Sequence, residues 1–170
     1  MGTSQRFFVS TFRRRSPGRL AVAVLLLWAL GCGANRRSFF GGDVAVRVAA
    51  DPEINQNSPV AVEMVVVYDK DLLEALLAKT ARDWFRDREQ IRKDHPGEKD
   101  FISMRWEVVP GQSLPAQGLP AEEMSFGSGA RGGVVFADYF SEGAHRARFD
   151  PHLDLKIHLQ DTDFSLEQPQ

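Results

Sequence analysis

Hydrophobic positions change period several times along the chain, and each change marks an element. Leu20–Leu30 (LAVAVLLLWAL) is one uninterrupted apolar block, followed by Gly31, Cys32 and Gly33. Residues 33–42 (GANRRSFFGG) carry no core pattern and are bounded by glycines, so they read as a tether. Val44–Val48 then alternates as a first strand, and Val60–Tyr68 (VAVEMVVVY) is a β-branched run of the kind that fills a buried strand. Between them lies Asp51–Pro59 (DPEINQNSP), rich in turn formers and without an apolar period to bury. It is expected to be an exposed loop.

From Asp69 the spacing becomes helical. Asp69 can cap the first free amides, and Leu73, Leu77, Ala81, Trp84 and Ile91 recur along one face, which predicts a single helix over about 70–94 ended by Pro96-Gly97. Its second half, Arg86–Asp94 (RDREQIRKD), mixes both signs of charge and reads as a solvated face. Period two returns in Ile102–Val108, and Pro110-Gly111 closes that strand. A Pro/Gly/Gln-rich passage, Gln112–Pro120, crosses to short segments at Met124–Phe126, Val134–Phe140 and Arg146–Phe149. In the last strong strand, Leu153–Leu159, four apolar residues alternate with Asp154, Lys156 and His158. About seven short strands and one inserted helix predict a mainly β domain over residues 43–166, a two-sheet β-sandwich.

Composition sharpens this picture at the N-terminus. The chain has 170 residues, 43% of them apolar, enough for one core. Arg6, Arg13, Arg14, Arg15 and Arg19 precede the apolar block with no acid among them, the order of a signal peptide over residues 1–31. Taking those five positive charges from the net −2 leaves −7, a poor balance for binding nucleic acid. As a helix the block would be about 16 Å long against a hydrocarbon core of about 30 Å, too short to span. Cys32 is the only cysteine and cannot form an internal disulfide.

Ala29-Leu30-Gly31-Cys32 resembles the lipobox of bacterial lipoproteins. The resemblance implies that Cys32 is acylated and becomes the new N-terminus of residues 32–42, an acylated tether. Each buried methylene contributes about 0.8 kcal/mol, so several acyl chains would hold the protein to its membrane almost permanently. Gly33 after the cysteine, rather than Asp, resembles the signal that passes a lipoprotein on to the outer membrane. The lipid on Cys32 is the one non-protein group expected, with no other cofactor.

Candidate chemistry elsewhere is thin. His95, His145, His152 and His158 show no HExxH pair, and Asp150, His152, Asp154, His158, Asp161 and Asp163 read as a solvated strand face rather than a metal site. Gly127–Gly132 matches GxGxxG, but Val134-Val135-Phe136 follows as a strand where a dinucleotide site needs a helix. Ser128 lacks the GxSxG spacing of a nucleophile elbow. The expectation is a protein that is not an enzyme.

The order of several motifs then carries a wider resemblance. An N-terminal lipobox, an Asn-containing loop ending Ser58-Pro59, the strand VAVEMVVVY, a helix, a strand closing with Val108-Val109-Pro110-Gly111 and the later Gly133-Val134-Val135-Phe136-Ala137-Asp138-Tyr139 look like the type VI secretion outer-membrane lipoprotein (TssJ) family. The resemblance implies a transthyretin-like sandwich hung by lipid from the outer membrane, on its periplasmic face. It further implies a grip on the periplasmic domain of a large inner-membrane component of the secretion apparatus. The family's contact loop maps here to Asp51, Pro52, Glu53, Ile54, Asn55, Gln56 and Asn57. The alternative is a periplasm-facing lipoprotein that binds a small ligand or glycan through aromatics such as Trp106, Phe126 and Phe140.

Overall fold

Residues 44–97, 99–118 and 129–170 are described in the computed structural model; the predicted signal peptide, Cys32, the tether, Met124–Phe126 and Gly127-Ser128 lie outside them. In chain order the described elements are β1 (Ala45–Ala50), a short 3-10 turn (Asn55–Asn57), β2 (Val60–Val67), α1 (Lys70–Leu77), α2 (Ala81–Asp94), β3 (Phe101–Val108), β4 (Ser113–Gly118), β5 (Gly132–Asp138), β6 (Arg146–Phe149), β7 (Leu155–Leu159) and β8 (Phe164–Glu167). They form two four-stranded sheets, ordered β4-β1-β7-β8 and β3-β2-β5-β6. β1 and β7 run parallel, with Val46 opposite Leu155, and the other pairs are antiparallel. The mainly β, two-sheet sandwich expected from the sequence is the observed architecture.

Two strands come from segments whose apolar pattern is weak. β4 (SLPAQG) and β8 (FSLE) are the edges of the first sheet, where one side of the backbone has no strand partner among the described residues. Pro115 is tolerated there, and the register against β1 slips between Val46 and Val48 beside it. Leu153, expected on the inner face of the last strand, is exposed in the turn that precedes β7.

The sandwich core lies between the sheets, from Val46, Val48, Leu155, Ile157 and Leu159 on one side and Val60, Val62, Met64, Val66, Val135 and Ala137 on the other. A second apolar layer covers the opposite face of the β2-containing sheet. There Val65, Val67, Val134 and Phe136 meet Leu72, Leu73, Leu76, Ala81 and Trp84 from the helices. Burial on both faces explains why β2 is a continuous apolar run and not an alternating one. In β5 a glycine is required by close approach: a Cβ on Gly133 would stand 2.1 Å from Cζ of Phe149 on the neighbouring strand.

The single helix expected over 70–94 is two helices. Asp69 caps the first, its Oδ1 accepting from the Leu72 amide at 2.7 Å. Thr80 caps the second: its Oγ1 accepts from Asp83 N at 3.1 Å and donates to Asp83 Oδ2 at 2.8 Å. Groups freed at the break find partners from β6 and the segment before it. Arg146 Nε donates to Lys79 O at 2.7 Å, and Ala81 N donates to Ala144 O at 2.8 Å. Leu72 and Leu76 join Leu73 on the buried stripe, whereas Leu77 is half-buried.

Charges on the early turns of α2 make a surface lattice with a pH signature. Asp87 accepts from Arg86 and from Lys79, which together hold its carboxyl at about 2, below the ordinary 3.8. Asp83 is lowered in the same direction, first by its hydrogen bond from Thr80. A depressed carboxyl stabilises the folded state above its unfolded value and loses that contribution as pH falls through the folded one. An NMR titration of Asp87 is therefore expected to show a midpoint near 2. A midpoint at the ordinary value would show that the lattice does not form.

The second half of α2 is not only a solvated face. Arg88 and Arg92 reach back to Glu63, which sits fully buried on β2. Glu63 Oε2 accepts from Arg88 Nη1 at 2.8 Å and from Trp84 Nε1 at 3.2 Å, and Oε1 accepts from Arg92 Nη2 at 2.6 Å. Trp84 stacks on Phe136 with ring centres 5.1 Å apart and planes at 9°. The helix is thus fastened to the sheet by one carboxylate and one indole.

Candidate functional site

Four connections gather at the end of the sandwich opposite the start of β1: residues 51–59, 109–112, 139–145 and 160–163. Backbone bonds tie them together. Gly111 N donates to Asp51 O at 2.9 Å, Ala50 N to Gln112 O at 2.8 Å and Asn55 N to Asp161 O at 2.8 Å.

The segment Asp51–Asn57 is exposed only in part, which corrects the expectation of a wholly exposed loop. Pro52, Glu53, Gln56 and Asn57 are exposed, but Ile54 is fully buried in the core and Asn55 is nearly so. A single isoleucine among turn formers has no period, so its burial leaves no trace in the pattern. Asp51 Oδ1 lies 2.8 Å from His158 Nε2, and Asp51 N donates to Leu159 O at 2.9 Å.

Asn55, Gln56 and Asn57 all take left-handed backbone, with φ of 47°, 56° and 63°. That conformation costs about 1–2 kcal/mol per residue for most side chains, and asparagine tolerates it best. Here the surroundings impose it. Asn55 Nδ2 donates to Pro59 O at 3.1 Å, its Oδ1 accepts from Phe140 N at 2.7 Å, and Ser58 N donates to Asn55 O at 3.1 Å. The exposed tip of Gln56 and Asn57 is consequently held in one shape.

Beside that tip stand Phe140, 61% exposed, and Val109, 46% exposed, the two most exposed large hydrophobic side chains among the described residues. Asp51, Glu53, Asp138, Glu142, Asp161 and Asp163 belong to the same end, and the four connections contain no lysine or arginine. An apolar ring amid carboxylates is a surface suited to a basic partner with an apolar socket.

Behind the surface, Tyr139 and His145 lock two of the connections. The Tyr139 hydroxyl lies 2.8 Å from Asp163 O and 3.1 Å from Gln160 O, and burial raises its pKa above the usual phenol range. His145 is buried, with Nδ1 3.1 Å from Asp163 Oδ1 and Nε2 3.3 Å from Ser141 Oγ. The order Ser, His, Asp invites comparison with a hydrolase. However, Ser141 Oγ donates its proton to Thr162 O at 2.7 Å, and Nε2 also faces Ser141 O at 3.0 Å. The hydroxyl is engaged with a carbonyl and is not poised for transfer to the imidazole. These residues hold loops together.

The acids and histidines of 150–163 are dispersed. His158 pairs with Asp51, Asp154 Oδ1 accepts from Ala45 N at 2.9 Å, and Asp150 Oδ1 accepts from His152 N at 2.9 Å. Among the described residues no three His, Cys, Asp or Glu side chains converge as a metal ion would need. Gly132 opens β5 and not a helix, so the glycine run offers no helix N-terminus to a phosphate. Trp106 is half-buried against the core, its Nε1 donating to Gln117 Oε1 at 3.1 Å.

No protein-family model matches the chain, and no curated protein matches its sequence. Solved structures do match. The T6SS lipoprotein TssJ1 from Pseudomonas aeruginosa superposes with a TM-score of 0.54 at 16% identity, covering 75% of this chain and 95% of TssJ1. Lip from Serratia marcescens, a membrane-bound component of the type VI secretion system, superposes with a TM-score of 0.51 at 16% identity, covering 75% of this chain and 96% of Lip. The two-sheet sandwich described above is therefore the fold of these two type VI secretion proteins.

Proposed function

We propose that this chain is a structural lipoprotein of a type VI secretion membrane complex, held on the periplasmic face of the outer membrane by lipid on Cys32. Its end built from residues 51–57 and Phe140 grips the periplasmic domain of a large inner-membrane component, and no catalysis is involved. The fold shared with TssJ1 and Lip supports the reading. The observation that carries it is local: Asn55 joins the predicted contact loop to Phe140 through one partly buried hydrogen bond of 2.7 Å. Tip and aromatic ring thus form one pre-shaped surface. Pre-organisation lowers the entropy lost on docking.

The partner face should carry lysines and arginines around an apolar socket. A pull-down of the acylated protein from native membranes is expected to bring down one large inner-membrane protein. Phe140→Ala should weaken that capture at least tenfold, the scale of an aromatic hot spot worth about 2 kcal/mol. The exposed position of Phe140 leaves folding intact. Undiminished recovery of the partner by Phe140→Asp would overturn the assignment of this end.

A further inference from the structure

At the other end of the sandwich, where the chain enters β1, a cleft of about 390 Å³ is lined by Arg131, Arg148, Asp150, Pro151, His152 and Gln168, among others. Arg131 and Arg148 are both exposed, and neither guanidinium has a hydrogen bond or ion pair among the described residues. Arg148 stands across the sheet beside Gly132: a Cβ built there would lie 3.5 Å from its Nε and 3.6 Å from its Nη2. Leu73 Cδ2 would stand 2.9 Å from the same point, so a side chain at Gly132 does not fit between helix and guanidinium, and Arg148 lies flat over the glycine at the edge of the cleft. Asp150, the acid of the lining, has Oδ1 occupied by the His152 amide at 2.9 Å. Its backbone is stapled by Gln168, which accepts from Asp150 N and donates to Asp150 O, both at 2.8 Å. The wall of the cleft is therefore fixed while two cations face it.

We propose that this cleft binds a phosphate group through Arg131 and Arg148, with the His152 ring at its rim. A guanidinium pairs with phosphate oxygens in a planar, two-bond geometry, and two of them can share one phosphodiester. The source of that phosphate is the headgroup layer beneath which the protein hangs. This rests on the lipid-anchor reading: eleven residues separate Cys32 from Val44, a reach of at most about 40 Å, and they join the sandwich at this end, which is therefore the end an anchored protein can bring to the headgroups. Bound there, the cleft would orient the sandwich and aim the acidic end away from the membrane.

The test uses the acylated protein reconstituted into vesicles of phosphatidylglycerol or of phosphate-free digalactosyldiacylglycerol. Amide hydrogen exchange is read at residues 130–132 and 148–152. Exchange is expected to slow about fivefold or more in phosphatidylglycerol alone, and the Arg131→Ala, Arg148→Ala double variant should lose the difference; each basic residue near an anionic surface contributes on the order of fivefold. Equal exchange in both vesicles, unaltered by the double variant, overturns the proposal. Free glycerol phosphate separates the sources. If it slows the same amides at low millimolar concentration without vesicles, the phosphate site stands but the headgroup as its source is rejected. Failure of the protein to float with either vesicle refutes the anchor, while the glycerol phosphate measurement still decides the arginine site.

Discussion

Glu63→Ala is expected to destabilise the fold by about 3–5 kcal/mol, the cost of removing one member of a buried ion pair. Three donors lose their acceptor at once, namely Trp84 Nε1, Arg88 Nη1 and Arg92 Nη2. Arg88 is the worst placed of them: its side chain is 15% exposed, and its buried Nε already lacks a hydrogen-bond partner, with Glu89 Oε1 no nearer than 3.7 Å. Arg92 retains Glu89 and Ser103, so its loss is smaller. Domains of this size are stable by only about 5–15 kcal/mol, which makes the change severe. Urea denaturation of the variant checks it. Glu63→Gln should be milder, because an amide oxygen still accepts one bond, and Arg88→Ala should partly rescue Glu63→Ala by removing the stranded charge. A loss under about 1 kcal/mol for Glu63→Ala would mean that water reaches these groups.

On the proposed reading, Cys32→Ser is expected to move the protein from the membrane fraction to the soluble fraction and to abolish type VI secretion. The size of the effect follows from the anchor. One acyl chain holds a protein marginally, whereas two or more hold it for the life of the membrane. Among the described residues no helix is long and apolar enough to cross a membrane, so they offer no helical substitute for the lipid. Fractionation and a secretion assay on the same strain check the prediction. Retention of Cys32→Ser in the membrane, or unimpaired secretion, would refute the anchoring mechanism.

Central strands were legible in the sequence because burial imposes a period, as in Val60–Val67 and Leu155–Leu159. β4 and β8 were not: both are short edge strands with few apolar residues, whereas β3, also an edge, keeps its alternation and was read. The helix break at Ala78–Thr80 was hidden by an apolar period that runs across it, although Thr80 followed by Asp83 is a capping signal. Glu63 was absorbed into an apolar run, and Arg88 and Arg92 into a charged one. Each is ordinary alone, and only the packing of α2 on β2 joins them. In the candidate site the loop 51–57 was recognisable by its turn formers and by resemblance. Phe140, Tyr139 and His145 were not, because they reach it from 80 or more residues away through contacts such as Phe140 N to Asn55 Oδ1.

The first strand lies in the middle of its sheet, between β4 and a parallel β7. In an anchored protein, tension from the lipid enters at Ala45 and resistance from a gripped partner enters just past Ala50, so the pull runs along the strand's own axis. Both flanking ladders are then stressed together in shear instead of being unzipped rung by rung. A coupling between two envelope layers gains mechanical resilience from that placement alone.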